Sequence, residues 1–334
     1  MNRIKVSADE LNLIKLAQEY ADEKRARKLF ESWRWPGGKP ICPHCQHDEA
    51  YQIQSRPETK HPARQGLYGC AACRKTFTAT VGTVLEDSPL PISQWLLAIF
   101  ILCASKKSVS ANQLHRMLGV TYKTAWFMAH RLRFAMTPNH WAEPKLKGTV
   151  EVDETFVGGR GEGGTRLGRQ SPVVALVERG GRARVKVVAS VTQKNLGAAL
   201  QECVDPSARV NTDEHPSYKN PLKAWKEHHA VNHSRGEYQR QNADGSVASI
   251  NTAESFFSLL KRGVIGAWHH VSQTHLPKYA NEFAFRWSHR SITDGERMRR
   301  FVPMIAHKRI TYRATIQSNR NSALPLVFPH FLPP

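Results

Sequence analysis

The 334-residue sequence has no apolar run long enough to cross a membrane. Its longest, Trp95 to Ala104, is half the length that a spanning helix requires, about 20 residues. The opening MNRIKVSADELNLIK has no apolar core region of the secretory type. No lipidation motif is present, and no basic helix has a clean apolar face. These absences argue against a membrane or exported protein and lead us to expect the cytosol. No internal repeat is visible, which excludes solenoid and propeller architectures. Acidic residues are scarce: 28 Asp and Glu stand against 48 Lys and Arg, giving a net charge of +20 and a pI near 10.0. The surplus is spread along the chain. Basic charge on this scale implies a polyanionic partner, because each neutralised phosphate releases condensed counterions.

Cysteine is also scarce, but its placement is informative. Four of the six cysteines form two CxxC pairs, Cys42/Cys45 and Cys70/Cys73, with 24 residues between the pairs. In a reducing compartment such pairs indicate metal and not disulfides. Zn2+ takes four soft ligands in a tetrahedron, and each pair supplies two. The segment is too short and polar to bury a core, so metal would supply most of its folding energy. Cys103 and Cys203 lie in apolar surroundings and are expected in the core.

Periodicity changes along the chain. Residues 1–35 read as one or two short helices and WPGGKP at 35–40 as a breaker. A zinc ribbon is expected over 36–84. Over 85–140 an apolar helix at about 92–105 is followed by helices at about 110–117 and 121–136, joined by a turn at Gly119. That layout is helix-turn-helix-like, and such a unit lays its second helix in the DNA major groove. Thr121, Tyr122, Lys123 and Thr124 then stand at the leading end for base contacts, with Arg131 and Arg133 as candidate phosphate contacts. A plain helical hairpin is the alternative. From 145 to 295 strands dominate first: 149–153, a hairpin of 172–178 with 184–191, and a strand into Asp213. Helices follow near 251–262 and 274–290, with loop over 232–249 and a turn at AsnAlaAspGly, 242–245. Residues 296–334 read as an irregular basic tail. The expected fold class is multidomain α/β.

Three acids occupy informative places in that last domain. Asp153 ends one strand, Asp213 ends another, and Glu254 lies in the first turn of a helix. Two-metal phosphoryl transfer needs carboxylates from separate elements to converge on two Mg2+ roughly 3.5–4 Å apart. At about 100° per residue, Asn251, Glu254, Ser258 and Lys261 share one polar helix face, opposite Ala253, Phe256, Phe257, Leu259 and Leu260. Lys261 on that face would reach DNA phosphate. Strand alternation sends Glu151 to the side of Asp153, while Glu154 and Glu214 are expected in loops. A solvated helix face and two strand-end acids remain the alternative.

In this order the motifs resemble the zinc-ribbon transposases of bacterial insertion sequences, the ISXO-two-like group. The resemblance is carried by CPHC and CAAC, VEVDETFVGG at 150–159, TDEHPSY at 212–218, NTAESFFSLLKRGVIGAWHHV at 251–271 and NEFAFRW at 281–287. It covers roughly residues 25–295. It implies an RNase H-like catalytic domain, a mixed sheet with flanking helices, acting in the bacterial cytoplasm on the nucleoid. It further implies two Mg2+ (or Mn2+) per active site and strand cleavage and transfer on double-stranded DNA, at terminal inverted repeats and at a target. A homodimer or larger assembly on DNA is expected. Asp153 and Asp213 match the metal ligands and Lys261 the basic partner. The third position is Glu254 or Asn251; Glu254 is favoured because a carboxylate binds a metal better than an amide. His269 and His270 match the family's histidine pair without an assigned role. Two other readings stay open: a DNA-binding regulator with an inert RNase H-like domain, and a different nuclease such as a junction resolvase.

Overall fold

A computed structural model describes residues 7, 10–54, 63–138, 143–158, 170–232 and 235–317. The chain divides into two compact units. The first takes residues 1–105, 109–136 and 292–334; the second takes 106–108 and 137–291.

The first unit opens with α1 (Leu13–Glu19) and α2 (Glu23–Arg34), each started by a side-chain cap, Asn12 and Asp22. A small antiparallel sheet of β1 (Ala50–Gln52), β2 (Leu67–Cys70) and β3 (Thr76–Thr78) follows. Trp35, Tyr68 and Phe77 form its aromatic core, with ring centroids 5.5–6.3 Å apart. The helix α3 (Ile92–Ala104) is apolar on every side and correspondingly buried from Ile92 to Cys103 along most of its length. The pair α4 (Ala111–Leu118) and α5 (Tyr122–Ala135) meets at Gly119, whose φ of 64° is the left-handed cap that glycine adopts at low cost. Leu114, Leu118, Ala125, Met128 and Leu132 fill the space between and below them.

The sequence suggested an irregular tail from 296, but this region carries α9 (Asp294–Phe301) and α10 (Tyr312–Gln317). Thr293 caps α9 by accepting the Glu296 amide at 3.2 Å, acids occupy its first turn and Arg299 and Arg300 its last. Met298 and Phe301 point into the core of the unit. The stretch from 318, including LPLVFPHFLPP, lies outside the described residues.

The second unit is built on a five-stranded mixed sheet in the order β6-β5-β4-β7-β8. These are β4 (Thr149–Val157), β5 (Ser171–Glu178), β6 (Ala183–Val187), β7 (Arg209–Asp213) and β8 (Glu227–Val231). The first three pair antiparallel; β7 runs parallel to both β4 and β8. The near-continuous apolar run of β5 is buried on both faces, as a covered inner strand requires. Helix α6 (Gln193–Cys203) covers one face through Leu196 and Leu200. Helices α7 (Asn251–Gly263) and α8 (Leu276–Ser288) cover the other through Phe256, Phe257, Leu260, Phe283 and Trp287. Before α7, a short hairpin of β9 (Gln239–Gln241) and β10 (Val247–Ser249) turns at Asn242–Gly245, where the sequence suggested a turn but not the two strands. No helix among the described residues is long and apolar enough to cross a membrane.

Candidate active site and metal centre

The four cysteines of the two CxxC pairs meet at one point. Their sulfurs all lie within 4.8 Å of one another, with Cys42 to Cys73 at 3.7 Å and Cys45 to Cys70 at 3.5 Å. A tetrahedron with Zn–S bonds of about 2.3 Å has edges of about 3.8 Å, so the cluster has the size that Zn2+ demands. Both knuckles are built alike. The residue after the second cysteine, Gln46 or Arg74, takes a positive φ of 63° or 61°. Its amide donates to the carbonyl of the first cysteine, Cys42 or Cys70, at 2.9 and 3.1 Å. The His44 and Cys73 amides point at the Cys42 and Cys70 sulfurs at 3.4 and 3.5 Å. Four soft thiols complete the ligand set without His44 or His47, and this donor set supports a structural Zn2+.

The second group of side chains is acidic and lies in the sheet unit. Strands β4 and β7 pair in parallel as Thr149 with Arg209, Val150 with Val210 and Glu151 with Asn211. The pairing ends there; continued by two residues, the same register would set Asp153 level with Asp213 and on the same face. Glu254 comes to this face from the first turn of α7. The convergence is felt electrostatically. The Asp153 carboxyl is pushed up to about 7: burial raises it most, the Glu154 amide opposes this by hydrogen bonding, and the charges of Glu154, Asp213 and Glu254 add to the rise. The Glu154 amide donates to Asp153 Oδ1 at 2.8 Å, and the His215 amide donates to Asp213 Oδ1 at 3.0 Å. Among the described residues only the four cysteine sulfurs are gathered within 4.8 Å of one another, so these three carboxylates are neighbours and not a closed cluster. Hard carboxylate oxygens are the donor class that Mg2+ or Mn2+ takes.

Residues of α7 fall as the helical reading anticipated. Ala253, Phe256, Phe257 and Leu260 are buried, while Asn251, Glu254 and Lys261 are exposed. His269 and His270 are exposed beyond the π-helical turn Val264–Trp268.

Three features were not anticipated. Strand β4 does not stop at Asp153 but runs on to Val157, carrying Glu154 within the sheet instead of in a loop. The β-branched Thr155 and Val157 were the available signal. Glu154, on the opposite face from Asp153, accepts a hydrogen bond from the Tyr218 hydroxyl. Glu151 is fully buried and its carboxylate meets the start of α7.

In the helix pair, Thr121 caps α5, accepting the Thr124 amide at 3.2 Å with the two hydroxyls 2.8 Å apart. Tyr122 is 51% exposed and Lys123 is exposed, its Nζ 4.6 Å from the centre of the Tyr312 ring. Arg131 and Arg133 do not stand on the surface as phosphate contacts would. Arg133 is 1% exposed and donates to the Val109 carbonyl at 3.1 Å. Arg131 is 8% exposed with its guanidinium 4.5 Å from the Phe127 ring centre.

Comparison with known families follows this division. Residues 145–288 match the ISXO2-like transposase domain, and residues 21–76 match the transposase zinc-ribbon domain. A protein of Halobacterium salinarum, described as an uncharacterized protein in transposable element ISH50, is 28% identical over 288 residues. That match covers 80% of this chain and 91% of the relative.

Proposed function

We propose that this chain, which carries a transposase zinc ribbon and an ISXO2-like transposase domain, is the DNA transposase of an insertion sequence. The observation that supports the reading is that Asp213 and Glu254, from an adjacent strand and a helix of the matched domain, both act electrostatically on Asp153. The sheet order, with three antiparallel strands followed by two parallel ones, supports an RNase H-like domain.

Two Mg2+ or Mn2+ ions held by Asp153, Asp213 and Glu254 would supply activation of the attacking oxygen and neutralisation of the leaving one. The chain's own residues do the rest. Asp153 and Asp213 fix two carboxylates on a rigid sheet, and Glu254 adds a third from α7. Lys261, seven residues along the same helix face, meets the phosphate backbone of DNA laid along α7. Water opens the phosphodiester at an element end, and the freed 3′-hydroxyl then displaces a phosphodiester oxygen of target DNA. Tyr122 and Lys123 at the start of α5 contact the terminal inverted repeat, with Thr121 and Thr124 shaping that end of the helix. Two element ends call for at least two chains, so the active assembly is a dimer or larger.

The test is cleavage of an inverted-repeat duplex with Mg2+. Asp153→Asn and Asp213→Asn should bind the duplex as the wild type does and fail to cut it; full cutting by either variant would refute the reading. Ca2+ should permit binding without cutting. Terminal inverted repeats beside the gene would separate this reading from a DNA-binding regulator, and preference for element ends over branched DNA would separate it from a junction resolvase.

A further inference from the structure

Helix α7 begins without a cap of its own. Its N-cap residue is Ile250, which makes no side-chain cap hydrogen bond. The first amides of a helix have no partner inside it and carry its positive dipole end. Here a residue a hundred positions earlier supplies the partner. Glu151 Oε2 accepts the amides of Thr252 and Ala253 at 2.6 and 3.1 Å. Glu151 Oε1 accepts the Thr252 hydroxyl at 2.9 Å and Arg179 Nε at 2.9 Å. Arg179 reaches on to the Val247 carbonyl at 2.8 Å and the Ser249 hydroxyl at 2.9 Å, on β10 just before α7. Asn211, the register partner of Glu151, donates to the Ser249 carbonyl at 3.3 Å.

The row Glu151–Asn211 therefore lies one pleat below the row Asp153–Asp213 and holds the segment 249–253. Glu254 is the next residue. Glu151 and Asp153 hang from one central strand, two residues or about 6.6 Å apart, with hydrogen-bonded strands on both sides. The separation of Glu254 from Asp153 is thus set through two short rigid links. The amide bonds stop α7 from sliding, and the Thr252 hydroxyl bond stops it from turning.

We propose that Glu151 is a positioning residue: it clamps the first turn of α7 so that Glu254 reaches Asp153 and Asp213, and so sets the affinity of the acidic site for divalent cations. This rests on the catalytic reading of that site. Five donors converge on Glu151, the Ser249 hydroxyl at 3.5 Å being the fifth, so the amide of Glu151→Gln can accept only part of them and turns its NH2 towards another donor.

Three measurements on the full-length protein test it. Binding of Mn2+, followed without DNA by the paramagnetic resonance of the free ion, should weaken in Glu151→Gln by about tenfold or more, as loss of a supporting partner does. Hydrogen exchange of the amides at 251–257 should speed up. Cleavage should fall at limiting metal and recover at high metal, with affinity for the inverted repeat unchanged. A folded Glu151→Gln protein with wild-type Mn2+ affinity would overturn the proposal. If that variant does not fold, Thr252→Val decides, because it removes one hydroxyl at nearly constant shape. It should weaken Mn2+ binding in the same direction, and unchanged binding would overturn the proposal. Asp153→Asn keeps the two readings apart. If it alone loses Mn2+ binding, only the positioning role fails; if it too binds and cuts normally, the catalytic reading fails.

Discussion

The hydroxyl of Tyr218 donates to the carboxylate of Glu154, directly beside Asp153 in the central strand. Tyr218 is 1% exposed, and it packs against the face of the sheet covered by α6. Glu154 is only half-buried, so water can serve it if the phenol is lost. Tyr218→Phe should therefore destabilise the protein by only about 0.5–1.5 kcal/mol, the net worth of one hydrogen bond whose acceptor stays within reach of water. The urea midpoint should fall with the slope unchanged. A midpoint equal to the wild type would show that the bond contributes nothing.

Arg133 and Lys123 should behave in opposite ways. Arg133 is enclosed and serves the Val109 carbonyl, whereas Lys123 is exposed at the start of α5. Arg133→Met should lower stability by about 1–3 kcal/mol by orphaning that carbonyl. Lys123→Ala should leave the melting temperature alone, weaken binding to the inverted repeat and reduce the salt slope by about one ion. Loss of DNA affinity in Arg133→Met at wild-type stability would contradict the burial argument.

Much of this arrangement is legible in the sequence, for identifiable reasons. The cysteine pairs declare themselves because spacing alone encodes a tetrahedral site. Asp213 at a strand end and Glu254 on a polar helix face follow simple periods, while Asp153 lies inside β4 and not at the end the sequence suggested. What escapes is long-range. Nothing local in VEVDE says that Glu151 will cap a helix a hundred residues away, or that Glu154 will be met by Tyr218. Strand β8, with the sequence EHHAV, carries two histidines and a weak apolar pattern, and only its partner β7 makes it a strand. Helix α9 is different: ThrAspGlyGlu at 293–296 is a capping box that was present to be read. The burial of Arg131 and Arg133 is invisible locally, because an arginine on an amphipathic helix looks the same at a surface and in a core.

Removing zinc should unfold the ribbon. Its aromatic core is only Trp35, Tyr68 and Phe77, too little to hold three short strands together without the metal. One Zn2+ per chain is expected by elemental analysis. A strong chelator should expose four thiols, those of the cluster, to a chromogenic thiol reagent and quench the ordered environment of Trp35. Cys70→Ser should do the same without chelator. Retention of ribbon structure in zinc-free protein would mean that the metal is dispensable.

His228 should give stability a pH dependence on the acid side. Its Nε2 lies 2.9 Å from the Thr212 hydroxyl. That hydroxyl has one proton and commits it to the Asp213 carbonyl at 2.7 Å, so His228 must be the donor to the Thr212 oxygen. Burial, and then the neighbouring His229, lower the pKa of His228 below its ordinary value of 6.5. The unfolded chain therefore takes up a proton at a higher pH than the folded one does. Stability contributed by the neutral ring is complete above the unfolded pKa and is lost as pH falls from there towards the folded pKa. Melting temperatures measured at about pH 7.5 and about pH 5.5 bracket the ordinary histidine value of about 6.5. Asp153, raised to about 7, works in the opposite direction in both proteins, so the difference is the test: going to the lower pH should cost the wild type more stability than His228→Gln, which keeps a side-chain donor. An equal change in both proteins would show that His228 contributes nothing to the acid sensitivity.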